Sequence, residues 1–286
     1  IRWLDDFTAR NALGHGIHHT AGIEQAVRVL TVTWTLALLG ERAAEVALEP
    51  CLGLLAQQAL YCRDHLSLGS SANNHLIAEY AAMTVMGGVF PALRDADALL
   101  DQGVRGLSEQ ALLQFGEDGV HLEQSFGYLP LVWDLLLLAS LAAAAAGTRL
   151  LSAAHDRMRA SLEFARLVRL PGGGWPRVGD EDHGHVLYGG DTASRLDLVG
   201  NALAAHLGAD ALGAGADGLA RLLCGAAREA RQAADGARVF GGYTVWRARG
   251  LVVTFDHGPL GLAPLAAHGH ADALAVTVHR GDDAIV

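Results

Sequence analysis

Two imidazoles and a carboxylate recur at every second residue in Ala267-His268-Gly269-His270-Ala271-Asp272, near the end of the chain. Alternate side chains of an extended strand share one face. His268, His270 and Asp272 are therefore expected to converge on one point, with Gly269 and Ala271 keeping the opposite face small. Such a set either moves a proton, because an imidazole titrates near neutral pH, or holds a metal. The plainer reading is a pair of strand-end histidines bonded to backbone.

Three further segments concentrate reactive side chains. In Ser70-Ser71-Ala72-Asn73-Asn74-His75-Leu76-Ile77-Ala78-Glu79 polar capping residues lead into an apolar helix, which puts His75 and Glu79 four apart on one face and the Asn74 amide at the positive end of the helix dipole. An anionic group is favoured there; the structural alternative is a simple cap with a His75 to Glu79 hydrogen bond. Residues 118–128 gather His121, Glu123, Gln124 and Tyr128 in one connection. A phenol there can act as acid or base if neighbouring positive charge or hydrogen bonds to the phenolate lower its pKa, and is otherwise a boundary aromatic. Gly179-Asp180-Glu181-Asp182-His183-Gly184-His185 reads as a metal site or as a solvated acidic loop, with neither EF-hand nor H-E-x-x-H spacing.

These segments must be positioned by helices first and strands later. Apolar residues recur with helical spacing over 22–39, 44–65, 73–89, 106–116, 129–146, 149–169, 194–207 and 216–234, joined by short connections that favour packed helix pairs. A layered helical array or toroid follows. Residues 171–190 interrupt it with a long loop rich in Gly, acidic residues and His, the kind of loop that tends to carry function. After Gly236 the chain turns β-branched and aromatic at 239–240, 243–246, 251–255 and 274–278, separated by Gly, which predicts short antiparallel strands. The expected fold is mainly α with a C-terminal β part: a helical domain over 1–236, and over 237–286 the first strands of an antiparallel β-sandwich.

Composition narrows the partners. The 286 residues are 51% hydrophobic, enough to bury a sizeable core, and 31 acidic against 21 basic residues give a net charge of -10 that argues against nucleic acid or a membrane surface. All the basic residues are Arg. Cys51, Cys62 and Cys224 lack metal or disulfide spacing and are expected to be buried thiols. The apolar run 129–146 contains Asp134 and Ser140 and reads as a buried helix, not a membrane span. With no initial Met and an end that reads as mid-strand, the chain is expected to be a piece of a longer protein.

In order, the chain resembles the heparinase II/III-like polysaccharide lyases. The residues that carry the resemblance are Gly22-Ile23-Glu24-Gln25-Ala26-Val27-Arg28, Asn73-Asn74-His75-Leu76, Asp118-Gly119-Val120 with Glu123-Gln124-Ser125 and Tyr128, Gly179-Asp180, and Phe255-Asp256-His257-Gly258-Pro259-Leu260-Gly261 leading to His268-Gly269-His270-Ala271-Asp272. The resemblance implies an incomplete (α/α) toroid before a β-sandwich, and β-elimination at a uronic acid in an acidic polysaccharide, outside the cytoplasm. It implies that Asn74, helped by His75, neutralises the substrate carboxylate, that Tyr128 is the acid and in one geometry also the base, and that His268 or His75 is the base in the other. Asn73, Glu79, Glu123, Gln124, Arg177 and Asp180 are expected to contact substrate. Elimination needs no cofactor; a structural zinc on His270 is implied for the full-length protein, with its other ligands further along, and Asp272 would otherwise orient an imidazole. Arg28, Arg177 and Arg195 are candidates for a local positive patch. Two other functions fit the same residues: a glycoside hydrolase using Glu123 and Asp180, and a polysaccharide-binding protein without turnover.

Overall fold

The computed structural model describes residues 2–12, 14–45, 48–181, 184–187, 194–264, 266–270 and 273–286. Among these the chain is helical first and a sheet last. It divides into two compact units: residues 1–110 with 138–150, and residues 111–137 with 151–286. The change from helix to strand at Gly236 is a change of secondary structure; compactness groups the sheet with the later helices.

In the first unit α1 (Arg2–Arg10), α2 (Gly22–Leu39), α3 (Leu48–Asp64) and α4 (Asn74–Val89) precede α5 (Ala96–Gln114). Helix α2 packs on α3 and α4 through Ala26, Val29, Leu30 and Leu36, against which α3 brings Leu54, Leu55 and Ala59. Nearly every side chain of α4 is buried, so a helix with almost no polar face forms the middle of this unit. Helix α5 begins ten residues earlier than predicted. Gly103 and Gly106 resemble helix breaks in sequence, but they are where the next helix approaches: a Cβ at Gly103 would lie 2.7 Å from Thr84 N and 2.8 Å from Tyr80 O. Gly103→Ala is accordingly expected to lower stability by about 1–3 kcal/mol, read as a lower urea midpoint at unchanged slope. A midpoint within error of the parent would show that α4 and α5 shift apart freely.

Helix α6 (Leu129–Ala145) carries the apolar run, with Val132, Trp133, Leu135 and Leu136 fully buried. At 17 residues it is a core helix, and no helix among the described residues is long and apolar enough to cross a membrane.

The second unit contains α7 (Ser152–Val168), α8 (Arg195–Leu207), α9 (Gly218–Leu223) and a sheet of five strands in sequential antiparallel order: β1 (Gly236–Phe240), β2 (Tyr243–Ala248), β3 (Leu251–Asp256), β4 (Val276–Arg280) and β5 (Asp283–Ala284). The predicted helix over 216–234 is corrected to the six residues of α9. Gly225 takes a left-handed φ of 92°, and beyond it Ala is the only apolar type before the sheet, so too little burial is available to hold a helix. The predicted strand at 274–278 starts instead at Val276. Cys51 and Cys62 are buried as expected, whereas Cys224 is half-buried.

Candidate functional site

Residues 266–270 are not a strand. Ala266, His268 and His270 all have left-handed φ, at 49°, 71° and 51°, so the segment advances by tight turns and the two-residue alternation does not place its side chains on one face. The imidazoles nevertheless converge, because a third segment comes to them. Asp180 accepts from His268 Nδ1 at 3.0 Å through one carboxylate oxygen and meets His270 Nε2 through the other. Asp272, Asp182 and His183 lie outside the described residues.

Main-chain bonds build the frame under this contact. Asp180 N donates to His268 O at 2.9 Å, and Ser125 Oγ donates to Asp180 O at 2.5 Å while accepting from Tyr128 N at 3.2 Å. Gln124 Oε1 accepts from Gly261 N at 2.7 Å, and Phe126 N donates to Val178 O. Three distant stretches are thus joined by two main-chain bonds and by the side chains of Ser125 and Gln124. Gly179, with φ 68°, allows that approach: its Cβ would stand 2.4 Å from Gln124 O and 2.6 Å from His268 O. Neither Ser125 nor Gly179 was expected to hold the site together, and only their place in the short motifs pointed to them.

On this frame the Tyr128 ring stacks on the His268 imidazole, with centroids 3.9 Å apart and planes 25° from parallel. Tyr128 precedes α6 and is half-buried. On the far side of the imidazole Glu123 Oε2 lies 3.8 Å from Nε2. The bonds from His268 and His270 hold the Asp180 carboxyl below the usual carboxylate range, so it is ionised at neutral pH and can only accept. His268 therefore carries a proton on Nδ1, and in the neutral ring Nε2 has the free lone pair. Beneath lies His121, 4% exposed and tilted against Phe115, its basicity lowered by burial.

The Asn73–Glu79 segment belongs to the first unit. Helix α4 starts at Asn74, and Asn73 caps it by accepting from His75 N at 3.2 Å. Asn74 is 1% exposed and His75 half-buried. The expected His75 to Glu79 pairing is replaced by another: both oxygens of the fully buried Glu79 carboxylate accept from Ser67, from N at 2.8 Å and from Oγ at 2.6 Å. Burial raises the Glu79 carboxyl, and its bonds to Ser67 anchor the turn before α4.

The candidate arginines each have partners of their own. Arg195 forms an ion pair with Asp134, Arg177 pairs with Glu181 at 3.3 Å in solvent, and the Arg28 guanidinium lies over the Phe7 ring at 5.1 Å. Asp134 is fully buried on α6 and also accepts from Val186 N at 3.2 Å and Leu187 N at 3.4 Å, which ties the end of the long loop to the helix. Burial pushes its carboxyl up to about 6, against the pull of Arg195.

The described residues do not make a zinc site. His270 Nε2 is committed to Asp180, and no group of three or more His, Cys, Asp or Glu among them is placed to hold a metal. One imidazole falls short of the four ligands that structural zinc takes.

Comparison with known proteins identifies the family and the fold. The profile described as Heparinase II/III N-terminus matches residues 22–185, and that described as Heparinase II/III-like, C-terminal, matches residues 231–286. A crystal structure of heparinase III shares the fold at a TM-score of 0.73 and 18% identity, over 99% of this chain and 45% of that one. The heparan sulfate lyase HepC from Pedobacter heparinus does so at 0.63 and 17%, over 99% and 44%. The chain thus spans less than half the length of these structures. No sequence among the curated proteins matches it. With one profile covering more than half of its residues and the second covering the sheet, the chain belongs to the heparinase II/III family.

Proposed function

We propose that this chain carries catalytic residues of a lyase that cleaves a uronic-acid-containing polysaccharide by β-elimination. The observation that carries the reading is the stacked Tyr128–His268 pair, with Asp180 on the imidazole Nδ1. Elimination requires that the C5 proton leave to a base, that its electron pair form the C4–C5 double bond, and that the departing C4 oxygen be protonated. His268, with its lone pair on Nε2, serves as the base; Tyr128 gives its phenolic proton to the leaving oxygen. In the geometry where proton and leaving group share a face, Tyr128 alone does both. Asp180 supports the base by fixing its tautomer and ring plane, a positioning role in place of the substrate contact first expected. Asn74, at the N-terminus of α4, is the donor for the substrate carboxylate, and its bond strengthens as the enolate-like charge develops.

Family membership supports a lyase, and the site argues against the hydrolase. Both oxygens of Asp180 are taken by imidazoles, so it does not serve as the second carboxylate that hydrolysis requires. The test is ultraviolet absorbance of the whole protein's products from heparan sulfate, hyaluronan, alginate and bacterial exopolysaccharides, since elimination alone leaves an unsaturated uronate. Reducing ends without absorbance would mean hydrolysis, and tight binding with neither would leave a binding protein. Asn74→Ala is expected to lower kcat about 100- to 1,000-fold, as loss of one oxyanion donor does, with KM changed far less. An effect confined to KM would remove Asn74 from the charge-developing step.

A further inference from the structure

In the second unit, away from the Tyr128–His268 pair, a cleft of about 440 Å³ opens among the end of α7, the α8–α9 connection, the segment before β1 and the β2–β3 turn. Four guanidinium groups line it, Arg166, Arg169, Arg231 and Arg247, against one carboxylate, Asp235. Three of them are held in place by the fold. Arg247 donates from Nη1 to Leu167 O and Arg169 O, each at 2.7 Å, so neutral carbonyls fix it in place. Arg169 forms a fork with Asp197, with Nε and Nη2 each at 2.9 Å from a carboxylate oxygen. Arg166, 4% exposed, donates from Nη2 to Asp210 O at 2.7 Å and pairs through Nη1 with Glu163 at 2.6 Å, and its Nε has no hydrogen-bond partner among the described residues. Arg231, 68% exposed, makes only long ion pairs with Glu163 and Asp210, at 3.5 and 3.8 Å.

The register of the sheet separates this cleft from the catalytic pair. Tyr243 and Asp256 close the end of the β2–β3 ladder that adjoins Gly258 and Gln124, whereas Arg247 and Leu251 stand at the other end, about 13 Å of strand away. Fixed guanidinium groups that outnumber the one carboxylate in the lining favour an oxyanion, and the volume suits a sugar unit or two.

We propose that this cleft is a second anion site, which takes the carboxylate of a hexuronate unit apart from the point of cleavage. That the ligand is a sugar acid rests on the function proposed above; that it is an anion does not. The experiment titrates the whole protein, with its arginine side chains labelled, with glucuronate, glucose and inorganic sulfate, and follows the Nε–H signals of Arg247 and Arg169 by NMR. Glucuronate is expected to shift both signals, and glucose neither. Arg231→Glu should weaken glucuronate about three- to tenfold. Asp235→Asn should strengthen it, because the amide oxygen still accepts from Arg249 N while the opposing charge is gone. No shift with glucuronate, or a shift indifferent to both substitutions, overturns the site. Sulfate binding as tight as glucuronate overturns the sugar assignment. The ultraviolet assay keeps the two readings separate: elimination by a protein whose cleft stays empty sinks only the cleft, and a cleft that fills in a protein without elimination sinks only the lyase.

Discussion

On the lyase reading, Tyr128→Phe in the whole protein is expected to lower kcat about 100- to 10,000-fold, the range seen when a general acid or base is removed, with the fold retained. The substitution deletes one oxygen. The ring that stacks on His268 remains, and so does the bond from the residue's backbone N to Ser125 Oγ. Circular dichroism and the melting temperature should match the parent, and KM should move little, because the lost interaction belongs to proton transfer and not to ground-state binding. Turnover within tenfold of the parent would remove Tyr128 from the proton path and leave His268 to act with another acid. A collapse in melting temperature would show instead that the phenol is structural.

The largest expected effect on stability is at Asp134. One buried carboxylate here satisfies the Arg195 guanidinium and two loop amides, while Arg195 also reaches Gly184 O. Asp134→Ala removes all three acceptor contacts and leaves a largely buried cation unpaired, which costs about 3–5 kcal/mol, a large share of the 5–15 kcal/mol that holds a typical domain together. Urea unfolding at about pH 8, where the carboxyl is ionised, reads that loss as a lower midpoint. The double variant Asp134→Leu with Arg195→Met is expected to recover much of it, because the penalty lies in the orphaned charge more than in the missing attraction. Equal instability in both would place the cost in the loop amides.

What could be read from residues alone depended on whether the signal was local. Helices α2, α4, α6 and α8 began and ended within a residue or two of their predicted bounds, because burial on one face, or all round, imposes a periodicity that a run of residues carries by itself. Helix α5 failed at its start because Gly103 and Gly106 weaken a helix in isolation, and the reason they are tolerated is a neighbouring backbone that no local window contains. The stretch after α9 failed in the opposite sense: its Ala, Arg, Gln and Glu favour a helix, but it has nothing large to bury. In the His268–His270 segment the residue types were informative and the geometry was not. Period two reads as a strand, whereas left-handed φ at both histidines and a carboxylate 88 residues away bring the imidazoles together. That Asp180 belonged to an acidic loop was legible; that it would stand between two imidazoles required the tertiary bonds of Gly179, Gln124 and Ser125.

Those bonds have a consequence for descent as well as for catalysis. The bonds from Phe126 N to Val178 O and from Asp180 N to His268 O use main-chain atoms that every residue type supplies, so this part of the frame survives exchanges of the side chains that project from it, while Gln124 and Ser125 must be kept for the remaining links. Selection can then alter the base, the acid or the residues facing the sugar one at a time without first rebuilding their support. A lineage built on such a frame is free to change substrate faster than it changes shape, and two members can share this fold closely at 18% identity.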